Sequence, residues 1–401
     1  MLLALLAVLH FCAAAVLVSG IDWLILIPWR RAREAHWTER ARLLWPARIT
    51  NGMLLVAVPG SLGAAQVIFF PEIPLDYLYA ALAGIAGAIP GMWPMAKAMF
   101  PDLRLAVWMR DIAAAFVIRL MTLGILIAAG ICMPSRLDLS AIVLTCAVVA
   151  FTAWLIWGGM LFLLRTTGLL VAAPARLADV VSDVAAQMEL PLPRVWLLRG
   201  FGANAIAFPV VHTLVVTERA LNSLSDEEIG AVCAHEFAHL SEPRRVVLAR
   251  ILTAFVPLPA IFFKPAIHAW QGVGYFGICM AIVILSRLTV DFRRRMERRA
   301  DAMATVHEGP SPGTYARALE RLYQINQMPA VMPGKRTHPN LYDRLLAAGV
   351  TPAYPRPAAP ARLTWQLCVV MLLLVASTAG VTVAVEMRHQ KRHVARAHGG
   401  I

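Results

Sequence analysis

The arrangement H-E-x-x-H occurs once in this chain, as His235-Glu236-Phe237-Ala238-His239. On a helix, residues four apart lie one turn apart on the same face, so His235 and His239 can offer two neutral imidazoles to one ion. Such nitrogen ligands suit Zn2+. Glu236 projects beside the coordination position left open, where a carboxylate can take a proton from water and later hand it to a leaving amine.

Zinc needs a third protein ligand. The stretch RRRMERRADAMA (293–304) holds Glu297 and Asp301, again four apart. Glu297 would complete a His2Glu site, and Asp301 is placed to accept the free N–H of a ligating histidine and hold its tautomer. Taken alone, acids flanked by arginines also suit a solvated, salt-bridged helix. The intervening chain strengthens the pairing. His239 and Glu297 can share an ion only if an even number of membrane crossings separates them, and two apolar runs, 247–263 and 269–286, lie between. The first run is short. It is broken by Pro257 and Pro259, and from Ile251 to Phe263 it offers about 13 residues, which fits a re-entrant segment as well as a span. With Arg250 snorkelling to the interface, Val246–Phe263 just suffices to cross.

The elements that must position these groups are legible around them. Leu177, Val180, Val181, Val184 and Met188 form one stripe of an amphipathic helix that Pro191 stops. Strand-like runs follow at RVWLL (194–198), NAIAF (204–208) and VHTLVVT (211–217). A helix over 226–241 carries the zinc motif. Ser225 caps it, Glu228 completes a capping box, and Leu224 with Ile229 can form a hydrophobic staple.

Of 401 residues, 59% are hydrophobic and 15% charged, and the mean hydropathy is +0.65. A soluble domain carries about 25% charge, so the chain reads as a polytopic membrane protein with one modest water-exposed domain. Eight apolar runs, near 2–27, 53–70, 77–95, 112–133, 139–164, 247–263, 269–286 and 363–385, approach the length needed to span a hydrocarbon core. The expected organisation is an N-terminal transmembrane region (1–164, about five helices) and a metalloprotease-like domain (165–349) interrupted by a hydrophobic hairpin (247–286). A Pro-rich linker (350–362), a last transmembrane helix (363–385) and a basic tail (386–401) follow. The net charge of +13 is concentrated in arginines between apolar runs, where they orient a membrane protein and meet anionic headgroups; nucleic acid is not expected as a partner. Arg30, Arg31, Arg33, Arg40, Arg42 and Arg48 follow the first run, whereas PEIPLD (71–76) carries no basic residue. That asymmetry puts the N-terminus outside and residue 165 onward in the cytoplasm. The basic tail disagrees with an eighth crossing. Arg119, deep in the fourth run, is expected to face protein or water. His389, His393 and His398 read as part of a solvated tail. The six cysteines show no paired spacing, so neither a disulfide framework nor a thiolate-bound metal is expected.

HEFAH, a hydrophobic hairpin, E-x-x-x-D, then THPNLYDR (337–344) resembles, in that order, the integral-membrane gluzincin metalloproteases, the HtpX and CAAX prenyl endopeptidase group. The likeness covers about 165–349. It implies a mainly α, polytopic membrane protein with a zincin-like α+β domain, one Zn2+ per chain on His235, His239 and Glu297, and Glu236 as the catalytic acid/base. It also implies a substrate strand edge at Asn204, Ala205, Ala207 and Phe208, with His338 and Arg344 near the site. His338 would donate to the oxyanion. The implied substrates are peptides or proteins associated with the bilayer, and the implied setting is a bacterial inner membrane with the site on the cytoplasmic side. Two departures stand out: Glu297 has unusually basic neighbours, and residues 1–164 match no family motif. A single-turnover signal transducer and a non-catalytic zinc scaffold are the alternatives. The short outer loops speak against the first, and an intact Glu236 against the second.

Overall fold

A computed structural model describes residues 2–69, 77–115, 117–118, 121–200, 202–309, 311–334 and 338–375. The basic tail, its three histidines, PEIPLD and Arg119 lie outside them. By packing the chain falls into two units. One holds residues 1–105, 327–333 and 357–401, the other 106–326 and 334–356.

The first unit contains α1 (Leu2–Ile25), α2 (Ile27–Arg31), α3 (Trp37–Phe69), α4 (Tyr77–Gly91) and α5 (Trp93–Met99). Ala14, Val18, Leu54, Ala57, Val58 and Ala88 make its core, the small residues letting helices approach closely. The carboxylate of Asp22, fully buried on α1, is matched by the Asn51 side-chain amide, which donates at 2.6 and 2.7 Å. Arg40, Arg42 and Arg48, expected in a loop, lie on α3, which runs as one helix through Pro46 and Pro59.

The second unit opens with α6 (Leu105–Ala115), α7 (Met121–Cys132), α8 (Leu139–Trp154) and α9 (Met160–Thr166). A π-helical turn at Leu155–Gly159, with Gly158 at φ 108°, joins the last two. Then come β1 (Leu170–Ala172), α10 (Ala175–Gln187), β2 (Arg194–Leu198), β3 (Ala205–Phe208), β4 (Thr213–Thr217), α11 (Glu218–Ser223) and α12 (Asp226–Leu240). After them run α13 (Arg244–Ala254), α14 (Phe263–Val306), α15 (Thr314–Ile325) and α16 (Leu341–Ala347). The sheet order is β1-β2-β4-β3, with β2 and β4 parallel and both outer pairings antiparallel. β3 is therefore an edge. All five residues of β4 are buried, as a central strand demands. α10 turns Leu177, Val181 and Val184 inward, and Val184 and Val180 approach α12 at Gly230.

The hairpin between the two halves of the motif is broken on one side and continuous on the other. α13 has 11 residues, about 16 Å of helix. A turn and a 3-10 segment (Leu258–Phe262) carry the chain into α14, which reverses at Gln271 (φ 49°, ψ −133°). At that reversal Gly274 passes so close to Ala266 that a Cβ would sit 2.3 Å from its carbonyl oxygen; only glycine fits. From there α14 descends without a break to Val306. The limbs meet again where Arg293 Nη2 donates to Thr253 Oγ1 at 2.9 Å. Among the described residues, three helical stretches are long and apolar enough to cross a membrane: Ala4–Ile25, Leu139–Thr166 and Arg244–Val306. Trp270, Val273, Phe276, Met280, Val283 and Leu288 are exposed on the third, as a lipid-facing surface requires.

Candidate active site

α12 carries the two histidines and owes its start to local chemistry. Ser225 Oγ accepts from Glu228 N at 3.2 Å while the Glu228 carboxylate accepts from Ser225 N at 2.8 Å, completing the capping box. Asp226, Glu227 and Glu228 set negative charge against the helix N-terminus, where it is favoured. The last two turns are buried, His235 and His239 included. α14 brings Glu297 across the top of them. Its Oε2 lies 3.6 Å from His235 Nε2 and its Oε1 3.6 Å from His239 Nε2.

These three ligand atoms lie within 4.8 Å of one another. Tetrahedral coordination at zinc–ligand distances of about 2.0–2.1 Å separates neighbouring donors by about 3.4 Å, close to what is found. Glu297 Oε2 is buried and accepts no well-directed hydrogen bond among the described residues. Burial alone would lower the affinity of the His235 imidazole for protons. The Asp301 and Glu297 carboxylates outweigh it and raise the group to about 9. The donor set brings a carboxylate and two ring nitrogens to one point, within 4.8 Å of one another, and it fits a divalent cation.

Each histidine has its outer nitrogen held. On the His235 side, Nδ1 lies 2.7 Å from the Tyr315 hydroxyl and 3.2 Å from Asp301 Oδ1. Tyr315 donates to Asp301 Oδ1 at 2.7 Å. Arg344 closes the cluster, donating from Nε to Asp301 Oδ2 (2.9 Å) and from Nη2 to Asp301 Oδ1 (2.6 Å) and to the Tyr315 oxygen (2.8 Å). Burial, with Asp301 adding to it and Arg344 opposing, holds the Tyr315 phenol well above its ordinary range, so it stays a neutral donor. On the His239 side, Nδ1 meets Glu242 Oε1 at 2.9 Å, and Arg250 Nη2 donates to the same oxygen at 2.6 Å. Both Nε2 atoms face Glu297, so a metal bound there would leave the outward Nδ1 atoms to these partners.

Glu236 points the other way, toward the sheet. Its Oε2 accepts from Ala207 N at 2.7 Å. Asn204 O accepts from Thr217 N, and the pairing alternates from there along β3, so the main-chain groups of Ala205 and Ala207 face the open edge. Phe208 is half-buried and ends the strand beside the 3-10 turn at Pro209–Val211. His338, largely exposed, stands with Nδ1 2.8 Å from Glu297 Oε2. Every site residue expected from the sequence is therefore in the second unit, and His235, Glu236, His239, Glu297, Asp301, His338 and Arg344 form one cluster.

Three residues of the cluster were not anticipated. Glu242 follows His239 by three, a same-face spacing that the sequence offered. Arg250 turns to Glu242 instead of snorkelling. Tyr315 carries no local signal; only tertiary packing brings α15 to His235.

A peptidase family M48 model matches residues 172–349, the span that contains β2 to β4, α12, the hairpin, α15 and α16. Among curated relatives, this chain is 29% identical over 204 residues to Protease HtpX of Hahella chejuensis, covering 45% of this chain and 64% of that one. It is 31% identical over 183 residues to Protease HtpX of Chromohalobacter salexigens, covering 40% and 60%. With Protease HtpX of Pseudomonas paraeruginosa it shares 27% over 265 residues, 58% of this chain and 87% of the other. The chain thus spans less than two thirds of the length of the first two relatives. Over these residues the chain is similar to the HtpX proteases, and it has a mainly helical body and a small mixed sheet.

Proposed function

We propose that this chain is a membrane-embedded zinc metalloendopeptidase that hydrolyses peptide bonds of membrane or lipid-anchored proteins. The observation that carries the reading is the convergence of His235 Nε2, His239 Nε2 and Glu297 beside a glutamate that bridges to an open strand edge. Zn2+, one per chain, would be held by those three residues and would supply a Lewis acid that acidifies water and polarises a carbonyl. Glu236 takes the proton from the attacking water and delivers it to the leaving amine, as the H-E-x-x-H and E-x-x-x-D pattern of a gluzincin implies. Before it can do so it must release Ala207 N.

The substrate backbone pairs with β3 through the outward groups of Ala205 and Ala207, with Asn204 and Phe208 bounding the register. Main-chain pairing gives a sequence-tolerant grip. His338 stands at the exposed mouth of the site and donates to the oxyanion. Asp301, Tyr315 and Arg344 orient His235; Glu242 and Arg250 orient His239. Because α13 and α14 bring the site directly off an apolar hairpin, substrates are presented at the bilayer surface. Arginines concentrated after the first apolar run favour a cytoplasmic site in a bacterial inner membrane.

The test is cleavage of casein and of a membrane protein by the purified full-length chain, with and without chelator, beside Glu236→Gln. Loss of cleavage in both arms, with zinc still bound by the variant, supports the reading. Equal cleavage by Glu236→Gln refutes it.

A further inference from the structure

The first unit contains a cavity of about 400 Å3 lined by Trp29, Arg30, Arg33, Arg40 and Ala98. Three of its five residues are arginines and none is acidic. Two acids adjoin these arginines in sequence: Glu39 is taken by Arg42, which donates from Nε and Nη2 at 2.6 Å each, and Glu34 is exposed and makes no ion pair among the described residues. Arg30, Arg33 and Arg40 make no ion pair among the described residues.

Exposed guanidinium groups are satisfied by water, but two donors here are out of its reach. Arg40 Nε is buried without an acceptor, and so is Nε1 of Trp29, a side chain only 5% exposed. The Arg40 guanidinium stacks on the Trp29 ring, 4.9 Å from its centroid, which fixes the charge but satisfies none of its N–H groups. Two unsatisfied donors on the lining of a cavity with three guanidinium groups call for an anionic acceptor with several oxygens, and arginine's planar fork matches a phosphate. The volume lies within the range of small-ligand pockets, about 300–1,000 Å3.

The position identifies the carrier. The apolar stretch Ala4–Ile25 ends four residues before Trp29. On its outer face Trp23 and Leu24 are exposed, and the Arg30 guanidinium lies 5.7 Å over the Trp23 ring. Tryptophan and arginine at the end of an apolar helix mark the headgroup level of a bilayer. We propose that Trp29, Arg30, Arg33 and Arg40 form a binding site for a phosphate group carried by an anionic lipid headgroup. The site is independent of the metal centre.

The test uses the full-length protein in mixed micelles with equal phosphatidylglycerol and phosphatidylcholine, with retained lipid counted by native mass spectrometry. Wild type should retain phosphatidylglycerol about tenfold over phosphatidylcholine. R33Q/R40Q should abolish that preference. R33Q, which alters an exposed side chain and leaves the Trp29 stack alone, should weaken it several-fold and decides the matter if the double variant fails to fold. R31Q removes the same charge from an exposed residue outside the cavity and should retain the preference. Loss of the preference in R31Q equal to that in R33Q, or none in wild type, overturns the proposal. So does displacement of phosphatidylglycerol by millimolar inorganic phosphate, which would make this a free-anion site.

Discussion

The two histidines of α12 are chemically alike but are held in opposite ways. His235 is braced by residues from three later elements: Asp301 on α14, Tyr315 on α15 and Arg344 on α16. All belong to one closed network, and Arg344 is almost fully buried in it. His239 is braced by its near neighbours. Glu242 lies three residues on and Arg250 one helix on, with Arg250 partly exposed. One ligand is thus set by the tertiary fold and the other by the local chain. Damage to the first should therefore spread to stability, whereas damage to the second should stay with the metal.

The largest expected effect tests that contrast directly. Arg344→Leu leaves Asp301 as an uncompensated buried charge and should cost about 3–5 kcal/mol of stability. Thermal unfolding in detergent would show it, with metal loss following. If unfolding is unchanged while zinc is lost, the His235 network is not structural and the contrast fails. Next, Tyr315→Phe and Glu242→Gln each remove the hold on one Nδ1 and should each lower zinc affinity about 10–100-fold. A competitive chelator titration measures both, and only the Glu242 change should leave the melting temperature near that of wild type. Their coupling sharpens the comparison. Tyr315→Phe with Asp301→Asn should be non-additive, since both act in one network, while Tyr315→Phe with Glu242→Gln should add within about 0.5 kcal/mol. Smallest is Ser225→Ala, which removes the α12 cap and should cost about 1 kcal/mol of stability with zinc affinity little changed.

The same division explains what the sequence could tell. His235, Glu236, His239 and the α12 capping box are local patterns, and so are the strands from RVWLL to the buried run TLVVT. They are legible because period and spacing specify them. Glu297 and Asp301 lie far away in sequence but announce themselves by repeating the four-residue spacing. β1 escapes because three residues between a helix and a proline carry no period. α3 escapes because Pro46 and Pro59 argue for breaks that the surrounding helix absorbs, so its arginines read as loop residues. Tyr315 could not have been found: it sits on an ordinary amphipathic helix, and only the packing of α15 against α12 gives its hydroxyl a task. Glu242 could have been, by the three-residue step from His239.

The central claim is that two imidazoles from one helix and a carboxylate from the far limb of an apolar hairpin share one cation. Metal content per chain, measured on purified wild type, Glu236→Gln and Glu297→Ala, tests it most directly. About one zinc is expected in each of the first two and almost none in the third, because two histidines alone leave a tetrahedral site half-built. Full zinc occupancy in Glu297→Ala would contradict it.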